Sequence, residues 1–221
     1  MRTRHATLLG LIVVIIAVSS ASAYTLLGPA RHWPGSSVNF KVNRGHISVT
    51  DGDQGVTRVV NALNDANVGW NSCSNNFVVN ATSNPGSSWA LGDGIPTVSL
   101  QSEIGQCTGS CLAATFIGYY SCSPSFSDNH CKIQDSDVEG RVNTADANGG
   151  PYYSNGEACT AGAEYGVEGI WVHEAGHQLG LGHSSVNGST MYPSVSSCNQ
   201  GPASVASDDC RGTNKLYKTL H

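Results

Sequence analysis

Between residues 173 and 183 the chain reads His-Glu-Ala-Gly-His-Gln-Leu-Gly-Leu-Gly-His, and this stretch restricts the fold more tightly than any other. Histidines four apart on a helix project from one face, so the imidazoles of His173 and His177 can meet at a single ion. Glu174 is turned about 100° from His173 around the helix, where it flanks such an ion rather than binding it. Gly180 lacks a Cβ and can take a positive φ, which lets the chain leave the helix and bring His183 back to the same point. Three nitrogen ligands leave a fourth tetrahedral position for water, the arrangement that separates catalytic zinc sites from closed structural ones. With this chain's content of His, Glu and Gly, the five fixed positions would coincide by chance with a probability on the order of 10⁻⁵ to 10⁻⁴.

The rest of the chain suits an exported domain. Its 221 residues suffice for one domain with a hydrophobic core. Only 12% are charged and 26 are Gly, which points to a compact, loop-rich domain rather than a disordered chain. A net charge of −5 and the lack of a basic cluster after the first few residues argue against nucleic acid as a partner. Arg2 and Arg4 precede an apolar run over 8–18, and Ala21-Ser22-Ala23 offers the small residues of a cleavage site. Residues 1–23 therefore read as a signal peptide cut after about Ala23, leaving 24–221 as a single secreted domain. The run is short for a permanent span, a retained anchor being the alternative. All eight cysteines follow residue 23, and an even number in an exported chain suggests disulfides. The sequence does not choose their pairing; Cys122–Cys131 and Cys198–Cys210 are the short closures to try first. A cysteine metal site is the weaker reading, because no CxxC pair occurs.

Residues 38–43 alternate apolar and polar as a half-buried strand does, and 77–80, 97–100, 112–120 and 138–142 read as further strands. Val56, Val59, Val60 and Leu63 have helical spacing, with Asp51 and Asp53 placed to cap that helix or, with fewer matching positions, to begin a calcium loop. A second helix is predicted over 165–179, with Ile170 and Val172 toward the core. A third spans 207–220, with Ser207 as cap and Asp208 and Asp209 in its first turn. Residues 143–162 read as loop.

At every fixed position the 173–183 stretch matches the HExxHxxGxxH motif, and the chain resembles the metzincin peptidases. Among these it is most similar to the matrixins. Ser184 follows the third histidine, Met191-Tyr192-Pro193 looks like the Met-turn, and 205–217, with Asp208-Asp209 and Leu216-Tyr217, resembles the matrixin C-terminal helix. Trp33-Pro34 and the strand after it resemble the start of a matrixin catalytic domain.

This resemblance implies an α+β fold of three helices beside a twisted, mostly parallel five-stranded sheet with one antiparallel edge strand. It implies a monomeric zinc metalloendopeptidase acting on extended protein or peptide substrates, with one catalytic zinc on His173, His177 and His183 and Glu174 as the base. Residues 112–120 would be the edge strand that pairs with substrate. Gly180 and Met191 would support the site, although a lone Met is equally a core residue, and Tyr192 and Pro193 would wall a substrate pocket. Calcium has no clear motif.

Two departures from the matrixin pattern stand out. Where the edge strand of a matrixin carries a histidine for a second, structural zinc, this chain has Leu112-Ala113-Ala114-Thr115. His32, His46 and His130 lack family spacing, so no structural zinc is expected. No cysteine lies between Tyr24 and Cys73, which argues against latency through a cysteine on the zinc. The rival readings are another metzincin family, a zinc-holding binding module without turnover, and a disulfide-stapled structural protein. Ser184 and Tyr192-Pro193 argue against the first and an intact Glu174 against the second, and zinc stoichiometry would separate the third.

Overall fold

The computed structural model describes residues 23–28, 30–43, 54–84, 90–100, 107, 110–122, 131–140, 152–153, 158–159 and 164–218. In chain order these form β1 (Thr25–Leu26), β2 (Arg31–His32), β3 (Ser37–Asn43), α1 (Gln54–Asn64), β4 (Val78–Ser83), β5 (Thr97–Ser99), β6 (Ala113–Ser121), β7 (Cys131–Gly140), β8 (Tyr152–Tyr153), β9 (Tyr165–Gly166), α2 (Val167–Gln178), β10 (Leu181–Gly182) and α3 (Ser207–Tyr217). The expected α+β architecture is present.

The main sheet runs β4-β3-β5-β7, all parallel, and β6 adds to β7 antiparallel; β2 pairs in parallel with the first two residues of β7. A parallel sheet is buried on both faces, and here Phe40, Val42, Val79, Val98 and Val138 form part of one core with Val59 and Leu63 of α1 and Trp171, Val172 and Ala175 of α2. On the far side of β4, two asparagine side chains stand in for a strand. Asn64 bonds both the N–H and the carbonyl of Ala81, and Asn71 does the same for Val79. This satisfies backbone groups that an open edge leaves to a passing chain.

Helix α1 buries Val56, Val59 and Leu63, as the spacing predicts. Helix α2 is buried on nearly every side, Glu168 and Glu174 included, so its apolar character runs around the helix. It starts at Val167, two residues after the predicted point. β7 begins at Cys131, well before the predicted 138, because Asp135 and Asp137 interrupt the apolar run although both are fully buried.

Two local expectations are corrected. The residue flanking α3 is Ala206, in extended conformation and without a side-chain cap, and Ser207 is already helical. The α3 carboxylates are drawn into tertiary contacts instead. The cysteines pair as Cys73–Cys210, Cys107–Cys111, Cys122–Cys131 and Cys159–Cys198. Cys122–Cys131 is as expected, but Cys198 does not pair with Cys210. Contact between residues distant in sequence puts Cys210 of α3 against Cys73, 137 positions away. The stretch 143–162 contains the short β8, and most of the remainder lies outside the described residues, as do Asp51, Asp53, His46, His130 and residues 1–22.

Candidate metal centre and its cleft

His173 and His177 lie one helical turn apart on α2, and His183 follows β10. Their ring centroids are 4.8 to 5.4 Å from one another, and one ligand nitrogen from each falls within 4.8 Å of the others. The orientation of two rings is fixed by backbone carbonyls. His173 Nδ1 lies 2.6 Å from the Thr190 oxygen, and His177 Nδ1 lies 2.8 Å from the Leu181 oxygen. A carbonyl can only accept, so each Nδ1 carries the proton and each Nε2 is left with a lone pair.

The His177 and His183 Nε2 atoms are 3.2 Å apart. Nitrogens bound at about 2.0–2.1 Å to one tetrahedral zinc are separated by about 3.3 Å, so this pair fits such an ion. Burial holds both imidazoles below their ordinary pKa, and the neighbouring ring pushes His183 down further. The neutral form is the one that ligates.

Gly180 has φ +100°, and a Cβ there would overlap the Arg31 carbonyl. The end of α2 is closed by an ordered set of donors. The Gly180 N–H bonds the His177 carbonyl, the Trp33 indole bonds that of Gln178, the Tyr217 hydroxyl that of Leu179, and the Leu27 N–H that of Gly180. A helix leaves its last carbonyls without partners, and here those of His177 and Gln178, with Leu179 and Gly180 beyond them, find partners at the point where the chain must turn. Trp33 and Tyr217, which the sequence offered only as family likeness, thus have a physical task.

Met191 is buried, and its Sδ lies so close beneath α2 that a Cβ at Gly176 would overlap it and the Trp70 ring. The Met191 segment is held by α3. Asp209 accepts the N–H groups of Thr190 (2.8 Å) and Met191 (3.4 Å), and Asp208 accepts the Ser184 hydroxyl (2.7 Å) and the Arg211 guanidinium (2.8 Å). The N-terminal strand adds another support. β1 pairs with β10, and the Thr25 hydroxyl donates to the His183 carbonyl at 2.7 Å. His32 has no part in this group. It is buried, with Nδ1 2.8 Å from the Trp33 oxygen and Nε2 2.8 Å from Lys132 Nζ.

His173 and His183 open onto a cleft of about 450 Å³. Leu112, Ala113 and Tyr192 to Val195 line it together with His173, Glu174 and His183. Sequence reasoning missed one neighbour of Glu174. The Thr115 hydroxyl of β6 is 2.6 Å from Glu174 Oε2. The signal was the Leu112-Ala-Ala-Thr115 run itself, read only for the histidine it lacks.

Residues 89–218, more than half of the chain, match the matrixin family of peptidases. The chain is a matrixin. Its relatives include matrilysin of Rattus norvegicus, 42% identical over 71 residues that cover 31% of this chain and 27% of that protein. Metalloendoproteinase 5-MMP of Arabidopsis thaliana is 45% identical over 51 residues, covering 23% and 14% of the two chains. Metalloendoproteinase 1 of Glycine max is 45% identical over 53 residues, covering 24% and 17%. The matches thus span about a quarter or less of each relative's length.

Proposed function

We propose that this matrixin is an exported zinc metalloendopeptidase that cuts internal bonds of extended protein or peptide substrates. The observation that carries the reading is the three-histidine group, with Nδ1 of His173 and His177 tied to carbonyls so that Nε2 is left to a metal, and with His173 and His183 lining an open cleft. His173, His177 and His183 would hold the ion. When bound, zinc supplies a Lewis acid that polarises the scissile carbonyl and lowers the pKa of a coordinated water to about 7.

The chain's own groups do the rest. Glu174 takes the proton of the attacking water and returns it to the leaving amine. β6, which pairs with β7 on one side only among the described strands, offers its other edge to an extended peptide. Tyr192 and Pro193 bound the part of the cleft that receives the side chain beyond the cut, while Gly180 and Met191 keep the histidines in place. The names of the relatives, a matrilysin and metalloendoproteinases, agree with this chemistry. Four disulfides suit an oxidising compartment, and cleavage after about Ala23 leaves Tyr24, Thr25 and β1 in the mature chain.

A random peptide library incubated with the purified protein, with and without a chelator, tests the proposal. Products cut at internal bonds only when metal is present support it. A library left intact at saturating zinc overturns it.

A further inference from the structure

Thr115 lies in β6, paired with Val138 of β7 and so fixed in register. Its Oγ1 is 2.6 Å from Glu174 Oε2 and 3.1 Å from the Glu174 carbonyl oxygen. A hydroxyl has one proton to give, and the shorter contact is to the carboxylate. A short O–H···O⁻ bond of this kind is about twice as strong as its neutral counterpart. Glu174 is only 6% exposed, yet a glutamate side chain keeps three rotatable bonds, and the direction of its carboxylate is set by what it touches. Thr is stiff at χ1 because it is branched at Cβ, so the donor itself is held firmly.

We propose that Thr115 is a positioning residue for the base, holding Oε2 so that Oε1 is the oxygen that takes the proton from water. This inference rests on Glu174 acting as the base in the proposed function. Oε2 remains an acceptor whether or not Oε1 carries a proton, so the contact lasts through the proton cycle. The base is thereby fastened to the strand on which the substrate lies, rather than to α2 alone. Mispositioning a catalytic group by about 1 Å can cost on the order of 10²-fold in rate, and a free carboxylate rotor makes errors of that size.

Thr115→Val keeps the branched shape and removes the hydroxyl, while Thr115→Ser keeps the hydroxyl. Thr115→Val should lower kcat about 10- to 100-fold with KM within about twofold of the parent, and zinc content should be unchanged. Thr115→Ser should recover most of kcat. Combined with Glu174→Ala, Thr115→Val should cost nothing further. Crystal structures supply a readout independent of turnover: the Glu174 side chain should keep one conformer in the parent and in Thr115→Ser, and spread over several in Thr115→Val. A Thr115→Val protein with parental kcat, equal losses in both variants, or a loss confined to KM overturns the inference, as does an unmoved Glu174 in the Val structure. If the parent cuts peptides and Glu174→Ala does not, such a result bears on Thr115 alone. If the parent cuts nothing, the proposed function fails and this inference falls with it.

Discussion

The Asp209 carboxylate accepts the Thr190 backbone N–H at 2.8 Å, and the Thr190 carbonyl lies 2.6 Å from His173 Nδ1. A carboxylate of α3 thereby sets the plane of an imidazole on α2 through a single intervening residue. Second contacts of this type fix ring orientation, and their loss costs about 10- to 100-fold in metal affinity. Burial pushes the Asp209 pKa up, and the N–H groups of Thr190 and Met191 pull it partly back. Asp209→Ala leaves both N–H groups without their acceptor. It should weaken zinc binding about 10-fold or more and destabilise the fold by about 2–4 kcal/mol; competition with a chelator and thermal unfolding measure the two effects.

Gly180→Ala is expected to be more damaging than an ordinary glycine replacement. The position combines φ +100° with a carbonyl where the new Cβ would lie. An Ala held at positive φ costs about 1–2 kcal/mol before any overlap, and relief of the overlap must move Arg31 or the turn that carries His183. Thermal unfolding should show a loss of at least about 2 kcal/mol, and titration should show weakened zinc binding. Binding and stability equal to the parent would mean that the turn is not strained by a side chain.

Asp137 gives a pH dependence with a definite sign. Burial, and then the charge of Asp135, push its pKa up to about 7 from 3.8, with Asp93 adding to the rise and the Thr97 N–H opposing it. Its Oδ2 has no hydrogen-bond partner among the described residues. Between pH 4 and 7 the folded chain keeps a proton that the unfolded chain has lost. This group's stabilising contribution is therefore present at low pH and disappears as pH rises through about 7. Asp137→Asn keeps an acceptor for Thr97 without the charge. It should raise stability at pH 8 by about 2–3 kcal/mol more than at pH 5, read from denaturant unfolding at the two pH values. An equal effect at both would refute the assignment.

The Cys73–Cys210 bond closes a loop of 137 positions and fastens α3, which carries Asp208 and Asp209, to the segment after Trp70. In the chain-entropy description a loop of this size stabilises by about 4–5 kcal/mol. Replacing both cysteines by Ala should lower the unfolding free energy by that order and weaken zinc binding through the Asp209 contact. The same change at Cys122 and Cys131, which close only 9 positions, should cost less.

What could be read in the sequence was whatever local spacing dictates. His173, His177 and Glu174 share a helix, so three positions decide their relation, and Gly180 announced the turn. Val56, Val59 and Leu63 behaved in the same way. Features set by contact across the chain could not be read so easily. Ser207 looked like a cap from its neighbours, but the backbone enters α3 at Ala206, and Asp208 and Asp209 turn toward Ser184, Thr190 and Met191. Short spacing favours a Cys198–Cys210 closure without choosing it, whereas the sheet and α3 bring Cys210 to Cys73 and leave Cys198 to Cys159. β7 is longer than its apolar run because buried aspartates break the pattern. Thr115 was invisible because nothing in a strand's alternation reveals which helix residue its hydroxyl will meet.

The most direct test of the central claim is the turnover of Glu174→Ala at measured zinc content. The three histidines do not depend on the glutamate, so the variant should hold one zinc per chain like the parent. Its rate on a peptide that the parent cuts should fall by about 10²- to 10⁴-fold, with the chelator abolishing what remains of the parent's activity. A Glu174→Ala protein that keeps its zinc and cuts as fast as the parent would contradict the account.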